Sequence, residues 1–238
     1  MQNIILSIYV PCLDEEKNIV DSLNIIKESV KNINYEILIV DDGSKDKTLE
    51  LAKKYKDENK NLNIKIMHNE TNHGLGFNYY AAAYQAQGKY YMFINGSAVI
   101  PSSTIKKMLD NLGKADMVLT YFPNYKNYFV RTILSKLFVL LVNIITFNKL
   151  KYYNGPSIHL LENVKLYGTG AFGYGYQAEL IAALITHKKT FIEVPVEHHF
   201  RGSGESKALR LKNILSVGRS LAVIFLNQVS YILKTILK

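Results

Sequence analysis

Two adjacent carboxylates, Asp41 and Asp42, stand directly after the apolar run of residues 37–40 and directly before Gly43. A β-branched run of this kind fits a strand buried on both faces, and open α/β sheets bind ligands just beyond the carboxyl ends of their strands. Acids at that position could hold the base or ribose of a nucleotide. The alternative interpretation is that they are turn residues, with Asp46 capping the next helix.

A second set of candidate residues lies in the last third of the chain, where glycines and cations suit an anionic ligand. A helix over residues 173–184 has a glycine-rich start that would let backbone amides approach an anion. The loop at 198–207 places Arg201 and Lys207 among glycines and serines. Two cations in such a loop are what a clamp for a diphosphate would need.

The elements that must position these residues alternate between strand and helix, which predicts an α/β fold with a mainly parallel sheet and helices on both faces. We divide the chain into a main domain over 1–207, with an interfacial helix insertion at 128–150, and an amphipathic helix over 208–238. Strands are predicted over 4–10, 35–40, 64–67, 90–94, 116–121 and 190–194, and helices over 18–30, 48–57, 77–86, 101–112 and 173–184.

Net charge and cysteine content narrow the class of partner and the compartment. The 238 residues carry 29 lysines and arginines against 20 acids, a formal charge of +9 that favours phosphate-bearing or membrane-surface partners. The single cysteine, Cys12, excludes an internal disulfide, and a small-residue role is favoured for it over a nucleophile. The first residues lack the order of a signal peptide, so we expect a cytosolic location.

Two uncharged apolar segments, at residues 137–148 and 220–233, are 12 and 14 residues long. A transmembrane helix needs roughly 20 apolar residues, so both are expected to lie in a membrane interface rather than to span it. The flanking lysines and arginines favour lipid headgroups, and nucleic acid is not expected as a partner. Packing helices, a dimer seam or an integral-membrane partner remain alternatives for these segments.

Five short motifs occur in an order that resembles the family 2 glycosyltransferases, and within them the dolichyl-phosphate mannose synthase-like branch. The resemblance spans about residues 4–207. Each motif alone is weak, but their order and their placement in strand exit loops are specific. The motifs are VP at 10–11 with DEE at 14–16, VDDGS at 40–44, NHGLG at 72–76, YQAE at 176–179 and the cationic loop from Arg201 to Ser206 and Lys207.

The resemblance implies a GT-A fold that transfers a sugar, with inversion, from a UDP- or GDP-sugar to a polyprenyl phosphate at the cytoplasmic face of a membrane. It implies that Gln177 and Glu179 face the reaction centre, and with Arg201 and Lys207 they are the candidate catalytic residues. The implied nucleotide-binding residues are Pro11, Leu13, Glu15, Asp41, Asp42, Asn95 and Ser97. The implied phosphate-binding residues are Arg131, Arg201, Ser206 and Lys207.

The sequence departs from its family where an Asp-x-Asp metal motif is usual, because Asn95-Gly96-Ser97 stands there. Asn95 and Ser97 could ligate Mg²⁺ or Mn²⁺ only as neutral donors, so we expect weak metal binding or metal independence. The family often has an arginine after the strand that begins near Asp116, and here Phe122 stands at about that position. A non-catalytic nucleotide-sugar-binding subunit, or transfer to a different glycan, therefore remains an alternative. The six histidines lack metal-ligand spacing and are interpreted as loop or core residues.

Overall fold

The protein, studied as a computed structural model, is an α/β fold built on one seven-stranded sheet. The structure describes residues 3–98, 100–123, 129–170, 173, 175–197 and 211–237. The α/β fold class predicted from the alternating pattern is confirmed. The strands are β1 (Leu6–Cys12), β2 (Tyr35–Asp41), β3 (Asn63–His68), β4 (Tyr90–Phe93), β5 (Met117–Tyr121), β6 (Ser157–Leu160) and β7 (Phe191–Pro195).

The helices connect these strands in the predicted alternation as far as β5. They are α1 (Ile19–Ser29), α2 (Thr48–Glu58), α3 (Leu75–Gln85), α4 (Ser102–Leu109), α5 (Phe129–Thr146), α6 (Leu161–Tyr167), α7 (Tyr176–Thr186) and α8 (Leu211–Ile236). The strand order is β3-β2-β1-β4-β6-β5-β7, and β1 pairs in parallel with both β2 and β4. The carboxyl ends of β1, β2, β3 and β4 therefore meet at one edge of the sheet.

Strand β6 was not predicted, and it is antiparallel to both of its neighbours, β4 and β5. It has only four residues, and α6 begins directly after it at Leu161. Such a short segment lacks the length and the bounding turn residues that identify a strand in a sequence. Its insertion separates β4 from β5 and places the start of β6 beside α7.

The sheet separates two apolar cores, because side chains of successive strand residues point to opposite faces. On one face Ile8 and Val10 of β1 pack with residues of α1, α2 and α4. On the other face Tyr9 packs with Tyr79 and Tyr91, whose rings lie 5.6 and 6.1 Å from it. Helices α3, α5, α6, α7 and α8 cover this second face.

Helices α5 and α8 contact each other and leave many large apolar side chains in solvent. Phe138 and Val142 of α5 and Ile224 of α8 are buried in the core. The opposite sides of the two helices form what we call the α5/α8 apolar surface. Its residues are Ile133, Leu134, Leu137, Leu140, Leu141 and Ile144 on α5, and Phe225, Leu226, Ile232, Leu233 and Ile236 on α8.

The length of α8 corrects the expectation that neither apolar segment could span a membrane. The sequence-based estimate counted only uncharged residues, whereas the helix continues through Arg219 and Lys234 to a length of 26 residues. Its stretch Ser216–Ile236 is long and apolar enough, by length and composition, to cross a membrane, and little of it is buried in the fold. The boundary proposed at residue 207 lies outside the described residues.

Candidate functional site

The exit loops of β1 and β2 are joined by reciprocal hydrogen bonds at the carboxyl edge of the sheet. The backbone N–H of Asp14 donates to Ser44 Oγ (3.0 Å), and the N–H of Lys45 donates to Asp14 Oδ1 (2.8 Å). The N–H of Glu16 donates to Asp46 Oδ2 at 3.0 Å. Asp14 has a positive φ of 56°, which an aspartate tolerates better than most residues. The two loops therefore form one preorganised surface.

Glu15, a predicted nucleotide-binding residue, lies inside this joined surface and is 8% exposed. Its backbone N–H donates to Thr48 Oγ1 (2.8 Å), and its carboxylate accepts from Asn18 Nδ2 (2.8 Å). Burial acts to raise the pKa of Asp46, but hydrogen bonds from Thr48 and from the N–H of Glu16 hold that pKa below its usual value. Asp46 accepts from the N–H of Thr48, the first residue of α2, but the N-cap position predicted for Asp46 is occupied by Lys47.

Asp41, at the end of β2, is completely buried, and residues of two segments, the β2 exit loop and the end of β3, hold it. One carboxylate oxygen, Oδ1, accepts from the Ser44 hydroxyl, and Oδ2 lies 2.7 Å from Nδ1 of His68. Its backbone carbonyl accepts from the N–H of Asn69 at 2.9 Å. The side chain therefore links the exits of β2 and β3 instead of standing free in solvent.

Asp42 is also buried, at 6% exposure, and binds the loop between β3 and α3. Its Oδ1 accepts from Asn69 Nδ2 (2.9 Å) and from the N–H of His73 (2.8 Å), and its Oδ2 accepts from the N–H of Gly74 (2.9 Å). A Cβ at Gly43, whose φ is +81°, would lie 3.0 Å from the backbone of Thr71, so both the space and the backbone conformation favour glycine. The DDGS motif thus fixes a loop some thirty residues further along the chain.

The exits of β1 and β4 lie against each other through Pro11 and Gly96. The N–H of Gly96 donates to the carbonyl of Pro11 at 3.1 Å, and a Cβ at residue 96 would lie 2.9 Å from that oxygen. Leu13 is half-buried in the loop that follows. Cys12 is buried between these exits, and its thiol contacts the Val40 carbonyl at 3.4 Å. Burial raises the pKa of the Cys12 thiol, as an inert core residue requires.

Asn95 and Ser97 do not form a convincing site for a divalent cation. Asn95 Oδ1 accepts from the N–H of Ser97 (3.3 Å), and the Asn95 carbonyl accepts from Ser22 Oγ (3.0 Å). Both residues offer neutral oxygens, whereas hard divalent ions prefer carboxylates. Within the described residues, no group of three or more histidine, cysteine, aspartate or glutamate side chains could hold a metal. The metal requirement itself stays a prediction.

Gln177, in the first turn of α7, is 2% exposed and anchored to the segment that enters β6. Its Nε2 donates to the carbonyl of Gly155 (2.6 Å) and to Ser157 Oγ (2.8 Å). Ser157 Oγ lies 3.0 Å from Nε2 of His159, whose pKa burial lowers to about 3. This buried chain fixes the amide of Gln177 relative to the sheet.

Glu179 is two residues further along the first turn of α7 and accepts a hydrogen bond from Thr169 Oγ1 at 2.9 Å. It borders a cavity of about 270 Å³ between α7 and α8. Residues lining that cavity come from 167–187 and 224–234, so it lies away from the joined exit loops. Among the hydrogen bonds of the described residues, none joins Gln177 or Glu179 to those loops, and their placement at the reaction centre stays a prediction.

The side chains predicted to bind phosphate lie outside the part of the chain that the structure describes. Arg201, Ser206 and Lys207 lie outside the described residues, as does the side chain of Arg131. Phe122, where the usual arginine was expected, packs its ring against Tyr152 at 5.6 Å. The described part of the predicted site therefore consists of the exits of the first four strands, to which the sequence assigns the nucleoside.

One residue of this edge, His68, was interpreted from the sequence as a loop or core residue. In the structure it ends β3, stands in register with Asp41, and keeps 40% of its side chain exposed. The position of His68 at the end of a predicted strand could have identified it as a site residue from the sequence. A polar residue that ends a parallel strand next to the DDGS strand must lie at the same sheet edge.

Solved structures with the same architecture have the GT-A fold of nucleotide-sugar glycosyltransferases. Staphylococcus aureus TarS in complex with UDP-GlcNAc superimposes with a TM-score of 0.64 at 20% identity, over 94% of this chain and 67% of that one. Mycobacterium tuberculosis glucosyl-3-phosphoglycerate synthase, in complex with Mn²⁺, UDP and glucosyl-3-phosphoglycerate, superimposes with a TM-score of 0.69 at 14% identity. The superposition covers 94% of this chain and 80% of the synthase chain. The chain thus has the GT-A fold.

The chain belongs to glycosyl transferase family 2, whose family model matches residues 7–175. It is 34% identical over 102 residues to the poly(ribitol-phosphate) beta-N-acetylglucosaminyltransferase TarS of S. aureus, covering 42% of this chain and 17% of TarS. It is 24% identical over 211 residues to the dolichol-phosphate mannosyltransferase of Pyrococcus furiosus, covering 85% and 58%. The chain thus spans less than two thirds of either relative, and the predicted family is confirmed.

Proposed function

We propose that this chain transfers a sugar from a UDP-sugar to a polyprenyl phosphate at a membrane surface. The observation that carries the donor half is the preorganised edge formed by the exits of β1 and β2, where Asp14 and Lys45 bond across the two loops. A preformed edge of this kind binds a nucleoside without an ordering penalty. UDP is favoured over GDP because the solved neighbours TarS and glucosyl-3-phosphoglycerate synthase hold UDP or a UDP-sugar.

The chemistry of this transfer needs little general-base catalysis. A polyprenyl phosphate oxygen is ionised at neutral pH, so it can attack the anomeric carbon directly while the bond from that carbon to UDP breaks. Negative charge then accumulates on the departing diphosphate. Cations held near it stabilise that charge more than they stabilise the ground state, and we assign this role to Arg201 and Lys207. No step is assigned to a metal, since Asn95 and Ser97 offer only neutral donors.

The acceptor half of the proposal rests on the α5/α8 apolar surface. Exposed apolar side chains on two adjacent helices indicate a surface that contacts something other than water. Cationic side chains that can bind anionic lipid headgroups flank the two apolar runs. They are Lys136, Lys149, Arg219 and Lys234. Curated relatives from P. furiosus and Dictyostelium discoideum act, by their names, on dolichyl phosphate. Such an acceptor would approach from the membrane.

A transfer assay tests the proposal directly. Radiolabelled UDP-glucose, UDP-GlcNAc and GDP-mannose are incubated with the protein and liposomes that contain a polyprenyl phosphate, and organic extraction measures labelled lipid. We expect labelled lipid with a UDP-sugar, and at least about 10²–10³-fold slower labelling with the Arg201→Ala variant. If sugar is transferred instead to poly(ribitol phosphate) in a parallel reaction, the chain is a glycosyltransferase but the proposed acceptor is wrong.

A second candidate function is a non-catalytic nucleotide-sugar-binding subunit, and the sequence at the exit of β4 favours it. Asn95 and Ser97 stand where the family usually has two carboxylates. The two functions share the nucleotide site and differ only in turnover. Thermal-shift measurements with UDP, together with the transfer assay, separate them, because ligand binding raises the melting temperature whether or not sugar is transferred. Stabilisation by UDP without turnover on any acceptor would support the second function.

A further inference from the structure

His68 and Asp41 form a pair that runs from the buried sheet edge to its surface. His68 is the last residue of β3 and pairs in register with Asp41 of β2. Its Nδ1 lies 2.7 Å from Asp41 Oδ2, and the histidine side chain is 40% exposed whereas that of Asp41 is 0% exposed. Of the two, only the imidazole can meet a ligand without rearrangement of the edge.

Asp41 is too constrained to turn toward a ligand. Its second oxygen accepts from the Ser44 hydroxyl, and Ser44 Oγ in turn accepts from the N–H of Asp14. Its backbone is held by the N–H of Asn69. Rotating this carboxylate would break both of its side-chain hydrogen bonds, to Ser44 and to His68. Asp41 therefore acts on a ligand through another residue.

The chemistry that His68 presents follows from its partner. A carboxylate can only accept, so the Nδ1 of His68 carries the hydrogen in their bond. In the neutral imidazole, Nε2 is then a lone-pair acceptor, and a carboxylate bonded to the opposite nitrogen fixes its direction. An acceptor held at the mouth of a nucleotide site suits an N–H donor of a base.

We propose that His68 is a nucleoside-contacting residue whose Nε2 accepts from the imide N–H of uracil, with Asp41 as its positioning residue. The proposal rests on the proposed function, because it concerns the UDP part of that donor. It gives Asp41 an indirect role in place of the direct nucleotide contact that the resemblance implies.

Calorimetric titration with UDP and with inorganic pyrophosphate tests the proposal in four proteins: wild type, His68→Phe, His68→Gln and the matched control His187→Phe. His187 is an exposed histidine that follows α7, away from the exit loops. We expect His68→Phe to raise the Kd for UDP about 5- to 10-fold, the worth of one hydrogen bond, and the glutamine variant less, since its amide retains an acceptor. Pyrophosphate affinity and the control should match wild type.

Asp41→Asn supplies the readout for positioning. It should weaken UDP binding in the wild-type background and add little in the His68→Phe background, because the two residues act as one unit. Melting curves identify any variant that fails to fold. If His68→Phe does not fold, the Kd of His68→Gln for UDP decides the test. Wild-type binding of UDP with unchanged Kd in both His68 variants would overturn the inference alone. No UDP binding by the wild type would overturn the proposed function and this inference together.

Discussion

The carboxylate of Asp42 accepts a hydrogen bond from the backbone N–H of Gly74 at 2.9 Å, which holds the residue before α3 against the exit of β2. The same carboxylate accepts from the N–H of His73 and from the side chain of Asn69. Three donors converge on one buried acid. Asp42 is therefore the anchor of the 69–74 loop, and its effect on a nucleotide includes holding that loop in place.

We expect Asp42→Ala to lower the free energy of unfolding by about 1–3 kcal/mol, because it removes the acceptor of three partly buried hydrogen bonds. It should also weaken UDP binding. Urea denaturation measures the first effect, with Asp57→Ala as a matched control at an exposed aspartate of α2. If Asp42→Ala loses nucleotide affinity but keeps the wild-type urea midpoint, Asp42 contacts the ligand and does not stabilise the 69–74 loop.

The sequence was sufficient to place the DDGS acids at a strand exit but not to identify their partners. Strand position follows from local apolar runs and turn residues, which are properties of a few neighbouring residues. The bonds from Asp42 to Asn69 and Gly74 depend on how β3 and α3 dock, which is a property of the tertiary fold. For the same reason His68 looked like an ordinary histidine until β3 was placed beside β2.

Buried His159 should make the stability of the protein fall in mild acid. Burial lowers its pKa to about 3, against about 6.5 in an unfolded chain. Between those values the unfolded chain binds a proton that the native state excludes, so stability is full above pH 6.5 and is lost as the pH falls toward 3. The contribution is about 1.4 kcal/mol per pH unit. Urea denaturation at pH 6.5 and 4.5 should show a smaller loss for His159→Gln than for wild type or His187→Gln, and equal losses would contradict this.

Close packing of α7 on α8 depends on the absence of a side chain at Gly175, because an added Cβ would collide with the side chain of Ser220. Gly175→Ala should therefore push α8 away from α7 and lower the melting temperature. Gly218→Ala is the matched control, since a Cβ at that position of α8 meets nothing within 4 Å and alanine favours the helix. Differential scanning fluorimetry compares the two, and equal melting temperatures would contradict the close packing.

The α5/α8 apolar surface should govern association with anionic liposomes. Leu140→Asp combined with Ile144→Asp places two charges where apolar side chains are 54% and 61% exposed, so the fold should persist while membrane affinity falls. Leu166→Asp, at an exposed leucine of α6, is the matched control. Flotation at low and high salt measures the effect, and wild-type binding should weaken in salt because lysines and arginines add attraction. If the wild-type protein does not float with liposomes at either salt concentration, the proposed membrane association is wrong.

The neutral residues at the exit of β4 predict a lower dependence on divalent metal than an Asp-x-Asp relative would have. Asn95 Oδ1 already bonds the N–H of Ser97, and neither residue carries charge to hold Mn²⁺. Leaving-group stabilisation must then come largely from preplaced cations. Removing one such group typically lowers turnover by about 10²–10³-fold.

Arg201→Ala should lower turnover by at least about that factor, and Lys207→Ala by somewhat less, because an arginine can bind a diphosphate through two parallel hydrogen bonds. Transfer is measured in EDTA and in Mn²⁺ for wild type, Arg201→Ala and Ser97→Asp. Wild type should retain activity in EDTA, and Ser97→Asp should gain a response to Mn²⁺ because it supplies a carboxylate ligand. If EDTA abolishes wild-type transfer and micromolar Mn²⁺ restores it, the chain holds a tight metal site, and Arg201 does not replace the ion.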